Sequence, residues 1–366
     1  MKIGVLTSSR ADYGLYKPLL NLLKNEQYFT LEVIVFGTNL SERYGLELQN
    51  IIDDNYEVIH QVETLPEGDA PSDISKSMGK TIIQFAKFWE RNSYDVVIAL
   101  GDRYEMFSAV SSSIPFNIKI AHISGGETTE GSFDNIFRHC LTQMSQLHFT
   151  STEQYKDKVI LLKGSNNNVY NVGALSIDNF LNLKLYSLAE FKDVFGIDMS
   201  IPSILVTFHP ETVAFEKNEE YVNELVSALS LIEGYQIIIT MPNADTMGNV
   251  IRVKLNEFIK STKHVVGIES FGTVGYLTCI KYCSMMLGNT SSGFVEASYF
   301  AKNVINLGKR QTGRIVTDNI LNIPIDRDEI VKAVYASKFR TMPSRSEIYG
   351  NGNAAVNIVS ILKSLP

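Results

Sequence analysis

The sequence is poor in cysteine, in net positive charge and in long apolar runs, and each shortage excludes a class of protein. Its 366 residues include three cysteines, which form no even disulfide framework and are not spaced as metal ligands. The net charge of −7 is opposite in sign to that of a nucleic-acid-binding surface. No apolar run reaches the roughly 18–20 residues that span a bilayer. We therefore expect neither nucleic acid nor membrane among its partners.

Further absences concern cofactors and location. The chain contains no GxxxxGK[ST] segment and no well-placed GxGxxG segment, which disfavours a P-loop or an ordinary dinucleotide site. Its histidines and acids are not spaced as ligand sets, so we expect no metal and no cofactor. The segment Met1–Arg10 lacks the apolar stretch and the cleavage site of a secretory signal. Because we also expect the cysteines to be reduced, these observations favour the cytoplasm.

The composition and the patterning indicate a two-domain α/β protein. Apolar residues make up 45% of the chain and charged residues 20%, as in soluble globular proteins. Short apolar runs alternate with longer amphipathic segments, and this pattern restarts after a break at Gly196–Pro202. Such alternation predicts parallel sheets with helices on both faces, here two doubly wound, Rossmann-like domains facing across a cleft. We predict domains at residues 1–180 and 181–350, with a helix at 353–366 that packs back on the first.

The periodicity of apolar residues predicts the individual elements. In the first domain the predicted strands are Ile3–Thr7, Leu31–Phe36, Val58–Val62, Asp95–Leu100, Ile118–Ile123, Leu147–Thr150 and Val169–Val172, and the predicted helices are Gly14–Lys24, Leu40–Asp53, Asp73–Asn92, Glu105–Ser113 and Asp134–Met144. In the second domain the predicted strands are Ile204–Phe208, Gln236–Thr240, His264–Gly267, Met285–Leu287 and Val304–Leu307, and the predicted helices are Ser187–Phe195, Glu219–Ile232, Asn249–Ser261, Thr273–Tyr282 and Gly293–Ala301. The segment Ser8–Tyr13 is predicted to be a polar turn.

The stretch Gly288–Arg314 is predicted to bind an anion. Small polar residues precede a predicted helix, and the first N–H groups of a helix lack partners at its positive end. A carboxylate one turn inside could hold vicinal hydroxyls such as a ribose diol, and two arginines on the next loop could face the same anion. The alternative is an ordinary serine-rich N-cap followed by a solvated loop. We favour a site for a nucleotide diphosphate, with candidate residues Ser291, Ser292, Glu296, Arg310 and Arg314.

Acidic side chains follow two predicted strands, at the sheet edge where α/β proteins bind ligands. Asp102 could be a general base, or it could be a helix N-cap, with Glu105 three residues on as in a capping box. Glu127 follows two glycines and could act on a ligand or belong to a plain surface loop. Asp134 could act on a ligand, cap its own helix or pair with Arg138. These alternatives stay open at this point.

Two basic residues and one aromatic residue complete the candidate set. His209 follows a strand and precedes Pro210, which restricts its backbone. It suits a general acid or a clamp on a leaving group, the alternative being a structural histidine. Arg10 could bind a phosphate with two hydrogen bonds, or it could pair with Asp12. Phe271 could form a flat wall for a base, or it could belong to the core.

Eight short segments occur together along nearly the whole chain. They are SRADYG (Ser9–Gly14), LGDRYE (Leu100–Glu105), AHISGGETTEG (Ala121–Gly131), DNIFRH (Asp134–His139), TFHPET (Thr207–Thr212), PNAD (Pro242–Asp245), GNTSSG (Gly288–Gly293) and LGKRQTGR (Leu307–Arg314). In this order they resemble the hydrolysing UDP-N-acetylglucosamine 2-epimerases. The resemblance is greatest to the bacterial branch that feeds sialic acid and related nonulosonic acid synthesis.

The resemblance implies a fold like that of the glycosyltransferase-B class, with UDP bound mainly by the second domain. It also implies removal of the sugar's C2 proton, loss of UDP from C1, and addition of water to give N-acetylmannosamine. In this chemistry Asp102, Glu127 and Asp134 would be the acid–base and cation-stabilising candidates, and His209 would assist the departing phosphate. The resemblance assigns substrate binding to Arg10, Arg103, Arg138, Asn243, Phe271, Ser291, Ser292, Glu296 and Arg314.

The chain departs from the family pattern at one position. Many relatives carry an acid two residues after the histidine of the A-H-I segment, where this chain has Ser124. The loop from there to Asp134 is also one residue longer than in those relatives. The carboxylate that takes the C2 proton therefore stays open between Glu127 and Asp102.

We expect a hydrolysing 2-epimerase that acts on UDP-N-acetylglucosamine for sialic acid synthesis. The alternative within the family is a nucleoside-diphosphate 2,4-diacetamido-2,4,6-trideoxy sugar, used for legionaminic acid synthesis. The alternatives outside it are a sugar transferase of the same architecture and a catalytically inactive nucleotide-sugar sensor. The expected partners are a UDP-activated amino sugar, UDP and further copies of the chain in a dimer or tetramer, as the resemblance implies.

Overall fold

The computed structural model describes residues 1–41, 47–65, 68–242 and 248–365. The chain divides into two compact units, and each is discontinuous in sequence. The first unit comprises Met1–Glu127, Asp134–Asn182 and Ile348–Pro366. The second unit comprises Thr128–Phe133 and Leu183–Glu347. A short piece of chain inside the first unit's sequence therefore belongs to the second.

Among the described residues, the first unit holds one sheet of seven parallel strands. Its strands are β1 (Lys2–Thr7), β2 (Thr30–Phe36), β3 (Val58–Val62), β4 (Val96–Leu100), β5 (Ile120–Ile123), β6 (Leu147–Thr150) and β7 (Val169–Asn171). The spatial order β3-β2-β1-β4-β5-β6-β7 is that of a doubly wound sheet, whose strand order reverses between β1 and β4. Val5 packs in the apolar core on one side and Leu6 in a second core, which is why the strands are near-continuous apolar runs.

Helices cover this sheet, and one of them comes from the carboxy-terminal segment. The described helices of the first unit are α1 (Arg10–Asn25), α2 (Glu47–Asp53), α3 (Pro71–Trp89), α4 (Tyr104–Ser113), α5 (Asp134–Met144), α6 (Glu153–Lys163), α7 (Leu175–Asn182) and α14 (Ala354–Ser364). Helix α14 packs against α1 and α7. The backbone N–H groups of Ala354 and Ala355 donate to the buried carboxylate of Asp178 at 3.0 and 2.7 Å. Asp178 on α7 thereby satisfies two of the donors that every helix start leaves without an intrahelical partner.

The second unit repeats the same architecture with one strand fewer in the described chain. Its parallel strands are β8 (Ser203–Thr207), β9 (Gln236–Thr240), β10 (Val265–Ile268), β11 (Met285–Gly288), β12 (Val304–Leu307) and β13 (Ile320–Ile323). Its helices are α8 (Leu188–Phe195), α9 (Asn218–Leu231), α10 (Gly248–Ser261), α11 (Gly272–Tyr282), α12 (Glu296–Tyr299) and α13 (Arg327–Ser337). The spatial order β10-β9-β8-β11-β12-β13 reverses between β8 and β11. The predicted class, two doubly wound α/β domains, is confirmed.

The start of the first helix differs from its prediction. The segment Ser8–Tyr13 is not a turn, because α1 begins at Arg10. Ser9 caps the helix, and Asp12 completes a capping box with it. Small polar residues that indicate a turn are also the residues that cap helices, and this ambiguity explains the error.

Two further helices are shorter than the apolar pattern predicts. The segment Leu40–Asp53 yields α2 from Glu47, while residues 42–46 lie outside the described residues. The segment Gly293–Ala301 is replaced by a 3-10 turn, Ser291–Gly293, and the single-turn helix α12. Helices α6, α7 and α13 and strand β13 lie outside the elements that the apolar pattern predicts. In the described part of the chain, no helix combines the length and the apolar composition needed to cross a membrane.

Candidate functional site

The candidate residues of the first unit lie where its strand order reverses. Strand β1 pairs with β4 in parallel, with Val5 opposite Ile98. Arg10 follows β1 and Asp102 follows β4, so both lie after the carboxyl ends of these two neighbouring strands. Open α/β sheets bind ligands at this reversal point. The fold therefore places one basic side chain, Arg10, and one acidic side chain, Asp102, at the position where the first unit is expected to bind a ligand.

Arg138 on α5 gathers two of the predicted acids. Its Nη2 donates to Asp102 Oδ2 in a short ion pair, and its Nη1 lies 3.7 Å from Glu127 Oε2. Glu127 also accepts a hydrogen bond of 3.0 Å from Ser151 Oγ. Arg138 is only 3% exposed, and a charge so far from water needs such partners. The first unit therefore brings Asp102, Glu127 and Arg138 into one cluster.

The end of β5 forms hydrogen bonds with Gly101, which precedes Asp102, and with Arg138. Gly101 donates its N–H to Ile123 O at 3.0 Å, and its carbonyl oxygen lies 2.8 Å from His122 Nε2. Because a carbonyl can only accept, Nε2 of His122 carries the proton. Ser124 has a left-handed backbone with φ +65°, which costs about 1 kcal/mol in a residue other than glycine. Its carbonyl accepts from Arg138 Nη1 at 2.8 Å.

His122 is a structural residue, and its imidazole is neutral. It is fully buried, and burial lowers its pKa to about 4 because the charged imidazolium is poorly solvated there. Its Nδ1 lies 3.2 Å from Thr142 Oγ1, and a neutral ring with Nε2–H accepts at this atom. The neighbouring His148 has a pKa lowered to about 3, again chiefly by burial. Both side chains therefore stay uncharged in mild acid.

The structure decides one alternative for Asp102 and clarifies the role of its neighbours. Asp102 is not the N-cap of α4: the N-cap position is Arg103, and no side chain caps this helix. Arg103 instead pairs with the buried Glu105 through two bonds of 3.0 and 3.1 Å. Asp134 is the first residue of α5, one turn before Arg138. The sequence separated these roles poorly because acids are common at every helix start.

Arg10 is the first residue of α1 and is half-buried. The acid that the sequence offered as its partner, Asp12, lies in the first turn of α1 and directs its carboxylate to the preceding loop instead. The Asp12 carboxylate accepts from Thr7 Oγ1 at 2.7 Å and from the N–H and hydroxyl of Ser8, both at 2.9 Å. Burial raises the pKa of Asp12. These bonds fix the loop between β1 and α1 on which Arg10 is carried.

The second unit repeats the placement at its own reversal point. Strands β8 and β11 pair in parallel, with Gly288 opposite Thr207. His209 follows β8 and is 9% exposed, and Asn289 follows β11. The two residues form two hydrogen bonds with each other: His209 N–H donates to Asn289 Oδ1 at 2.7 Å, and Asn289 Nδ2 donates to His209 O at 2.8 Å. This pair of bonds fixes the backbone that carries the imidazole.

The loop after β12 adds Arg314 to this group. Gln311 Nε2 donates to Asn289 O at 2.8 Å, and Gln311 Oε1 accepts from Arg314 Nε at 2.6 Å. Glu211 holds the start of the same loop, because its Oε1 accepts from the backbone N–H groups of Lys309 and Arg310 at 2.7 and 3.1 Å. The second unit therefore brings His209, Asn289, Gln311 and Arg314 together.

The predicted anion cradle keeps its polar residues but loses the long helix behind them. Thr290 Oγ1 accepts from Ser292 N–H at 3.3 Å and caps the 3-10 turn. Ser291 and Ser292 are partly exposed. Glu296 is the first residue of α12. Because α12 has one turn, its dipole is weaker than that of the predicted helix, and anion binding here would depend mainly on hydroxyl and N–H donors.

Two predicted binding residues have different outcomes. Phe271 is 6% exposed and packs with Phe195 and Phe191, at 4.9 and 5.5 Å between ring centroids. This packing favours the core interpretation over a wall for a base. Asn243 lies outside the described residues. No group of three or more His, Cys, Asp or Glu side chains that could hold a metal occurs among the described residues.

The segment Thr128–Phe133, just after Glu127, belongs to the second unit. Glu130 N–H donates to Thr312 O, and Phe133 N–H donates to Thr212 Oγ1, both at 3.0 Å. At Gly131 a Cβ atom would lie 2.5 Å from Arg310 Cα, so only glycine permits this close approach. Within the second unit, the segment Thr128–Phe133 is therefore held by the loops that follow β8 and β12.

Several residues that hold the two clusters are not among the predicted site residues. These are Ser151 and Thr142 in the first unit, and Glu211 and Gln311 in the second. Ser151 and Glu211 directly follow or lie close after strands β6 and β8, so the strand-end rule that selected Asp102 and His209 could have included them. Gln311 follows no strand directly, and a lone amide in a loop carries no comparable signal.

Comparison with known proteins gives one consistent result. Residues 21–363 match the family described as UDP-N-acetylglucosamine 2-epimerase. The chain is 34% identical over 369 residues to the polysialic acid biosynthesis protein P7 of Escherichia coli, covering 99% of this chain and 93% of that protein. It is 29% identical over 365 residues to the hydrolysing UDP-N,N'-diacetylbacillosamine 2-epimerase of Legionella pneumophila, covering 100% and 96%.

A solved structure shows the same fold. The UDP-GlcNAc 2-epimerase of Neisseria meningitidis, bound to UDP-GlcNAc, superposes with a TM-score of 0.84 at 17% identity. The match covers 100% of both chains. At this identity the similarity establishes the arrangement of strands and helices.

Proposed function

The chain belongs to the UDP-N-acetylglucosamine 2-epimerase family, and we propose that it is a hydrolysing member acting on UDP-N-acetylglucosamine. The proposed reaction consumes one water and releases UDP and N-acetylmannosamine. The observation that carries the proposal is the placement of the candidate residues. In each unit some of them follow the strands at the reversal point of the sheet, Arg10 and Asp102 in the first unit and His209, Ser291 and Ser292 in the second.

In the first proposed step a carboxylate takes the proton from C2 while the C1–O bond breaks. The electrons of the C2–H bond form the C1–C2 double bond, and UDP leaves with the electron pair of the C1–O bond. In the second step water adds its oxygen to C1, and a proton returns to C2 from the opposite face. Glu127 and Asp102 are the candidates for the base, and Asp134 for acid–base work or stabilisation of positive charge at C1. Acid–base groups contribute roughly 10²- to 10⁴-fold each.

The first unit would also bind the substrate through its arginines, Arg10, Arg103 and Arg138. The second unit would bind the departing diphosphate: Arg314 with Ser291 and Ser292 would neutralise its charge, and His209 would assist its departure. Fixed donors at the position where charge develops are usually the largest single catalytic term. Glu296 would hold the ribose hydroxyls. Asn243 and Phe271 complete the substrate-binding set implied by the resemblance, although the packing of Phe271 against Phe191 and Phe195 favours a place in the core.

Turnover in deuterated water tests this reaction. We expect UDP release without any acceptor sugar, and an N-acetylmannosamine product that carries deuterium at C2. A sugar product without deuterium at C2, or UDP release only when an acceptor is present, would refute the elimination and favour a transferase. A chain that binds UDP but forms no product over hours would be a sensor and not an enzyme.

A second substrate is favoured by the name of one relative. The Legionella pneumophila protein is described as acting on UDP-N,N'-diacetylbacillosamine, which is a 2,4-diacetamido-2,4,6-trideoxy sugar. The same elimination would apply, because the reaction involves only C1 and C2. The ratio of kcat/KM for the two nucleotide sugars decides between them, since a pocket built for one sugar leaves a buried polar group unpaired with the other. A ratio in favour of the diacetamido sugar would overturn the first assignment and keep the mechanism.

A further inference from the structure

Two buried amides connect the functional groups of the second unit. Asn289 is fully buried and Gln311 is 2% exposed. Asn289 exchanges two hydrogen bonds with the backbone of His209, and its own carbonyl accepts from Gln311. Gln311 in turn accepts from Arg314. The result is a continuous series of bonds from the peptide of His209 to the guanidinium of Arg314.

The orientation of each amide is determined by its partners. Asn289 faces one N–H and one C=O of the same residue, so its oxygen must accept from the first and its nitrogen donate to the second. Gln311 faces a guanidinium Nε–H, which can only donate, and a carbonyl, which can only accept. Rotating either amide by 180° would place donor against donor and acceptor against acceptor. Each amide therefore has a single satisfied orientation.

The bond at Nε restricts the plane of the Arg314 guanidinium. A guanidinium binds an oxyanion through parallel N–H groups in that plane, so fixing the plane fixes the direction of binding. Arg314 is 8% exposed, and its backbone N–H also donates to Gln311 O at 3.2 Å. The side chain and the main chain of Arg314 are thus both tied to Gln311.

We infer that Gln311 is a positioning residue for binding of the nucleotide diphosphate. Together with Asn289, Gln311 fixes the Arg314 guanidinium relative to the backbone of His209. The inference rests on the proposed function, in which Arg314 and His209 act on the same diphosphate. Gln311 itself need not touch the ligand. Its effect on affinity passes through Arg314.

A double-mutant cycle tests this path. In Gln311→Met the length of the side chain is kept and both hydrogen bonds are lost, and in Arg314→Lys the charge is kept and the Nε–H is lost. We expect Gln311→Met to weaken UDP binding about 10- to 100-fold by calorimetry, as for the loss of a bond to a charged group, with a larger change in KM than in kcat. In the Arg314→Lys background the same substitution should cost less than about 2-fold. Equal losses in both backgrounds would refute the inference.

Gln236 provides a matched control on the same unit. Its Nε2 donates to Ser203 Oγ at 3.1 Å, at the start of β9 and away from the reversal point. Gln236→Met should leave UDP affinity within about 2-fold of wild type. A loss as large as that of Gln311→Met would show that the effect is general destabilisation, and would refute the inference.

A spectroscopic readout needs no ligand and so separates this inference from the proposed function. The Nε–H resonance of Arg314, assigned by its loss in Arg314→Lys, should exchange slowly with water in the wild type. It should exchange fast in Gln311→Met. An Nε–H signal that is unchanged in Gln311→Met would refute the positioning role even if UDP binds. If the wild type does not bind UDP while the signal behaves as expected, the tie to Arg314 stands and the nucleotide assignment fails.

Discussion

The two units share a strand order but hold their functional groups by different means. In the first unit a buried guanidinium, Arg138, is compensated by the carboxylates of Asp102 and Glu127. In the second unit the neutral amides of Asn289 and Gln311 hold His209 and Arg314. The first arrangement holds its side chains through opposite charges, and the second holds them through hydrogen bonds of fixed direction.

This difference predicts different costs of substitution. Removing one member of a buried ion pair leaves a charge without compensation, which is expensive for stability. Removing one hydroxyl or amide that faces a ligand affects mainly binding, because water can replace it in the free protein. We therefore expect substitutions in the first-unit cluster to affect both stability and turnover. Substitutions at Ser291 and Ser292 of the second unit should affect mainly the affinity for UDP.

The largest expected effect is on turnover in Asp102→Asn. The substitution keeps the shape of the side chain and removes its charge and basicity, so we expect kcat to fall about 10²- to 10⁴-fold. Release of UDP from the nucleotide sugar gives the rate. Glu32→Gln is the control, because Glu32 is another acid of the first unit that is paired with basic side chains, those of Lys2 and His60, at 2.9 Å each. It should retain wild-type kcat; full turnover in Asp102→Asn would remove this residue from the mechanism.

The next effect is on stability. Arg138→Met should lower the free energy of unfolding by about 3–5 kcal/mol, because Asp102 and Glu127 lose their shared counter-ion. Urea denaturation followed by circular dichroism measures the change. The triple variant that also carries Asp102→Asn and Glu127→Gln should recover part of the loss. No recovery would mean that packing, and not charge, is what Arg138 contributes.

Mild acid should lower the stability of the first unit by a somewhat smaller amount, through His122. The folded pKa of His122, about 4, lies below the unfolded value of 6.5, so the unfolded state binds more protons between these values. Its contribution is complete above pH 6.5 and is lost as the pH falls towards 4, by about 3 kcal/mol in all. Comparing wild type with His122→Gln by urea denaturation at several pH values isolates this residue. The Gln variant should show the flatter profile in this window, and parallel profiles would contradict a neutral buried His122.

The smallest effect is expected at Ser291 and Ser292 of the second unit. Ser291→Ala combined with Ser292→Ala should weaken UDP binding about tenfold by calorimetry, through two lost donors. The free energy of unfolding should stay within about 0.5 kcal/mol of wild type, because both side chains are partly exposed. Ser230→Ala, on the outer surface of α9, is the control for both measurements. Unchanged UDP affinity in the double variant would remove the cradle from the proposal.

The fold could be predicted from sequence because parallel strands buried on both faces leave a clear pattern. Predictions failed where the pattern was weak or ambiguous. Helix α6 buries only Tyr155 and Val159 and leaves Leu161 83% exposed, so its apolar residues do not mark one face. At α1 the polar residues were assigned to a turn although they form a capping box.

The site was predictable to the level of which residues gather at a strand end, but not to the level of their partners. Asp102 and His209 follow directly from the strand alternation. The pairing of Asp102 with Arg138, 36 positions away, depends on the direction in which α5 presents its side chains. The αL backbone of Ser124 and the role of Gln311 depend on tertiary packing, which local sequence does not encode.

The contribution of α14 to the first unit has a consequence for biogenesis. Ala354, Ile358 and Leu362 complete the apolar core that β1 and β2 begin, and Asp178 caps that helix from 176 positions upstream. Until α14 has been made, the amino-terminal half therefore has an incomplete core, whereas the last residue of the second unit, Glu347, is synthesised before this helix. Domains are usually completed in the order in which they are synthesised. Here the half that is synthesised first receives the last helix of its core only after the whole second unit has been synthesised.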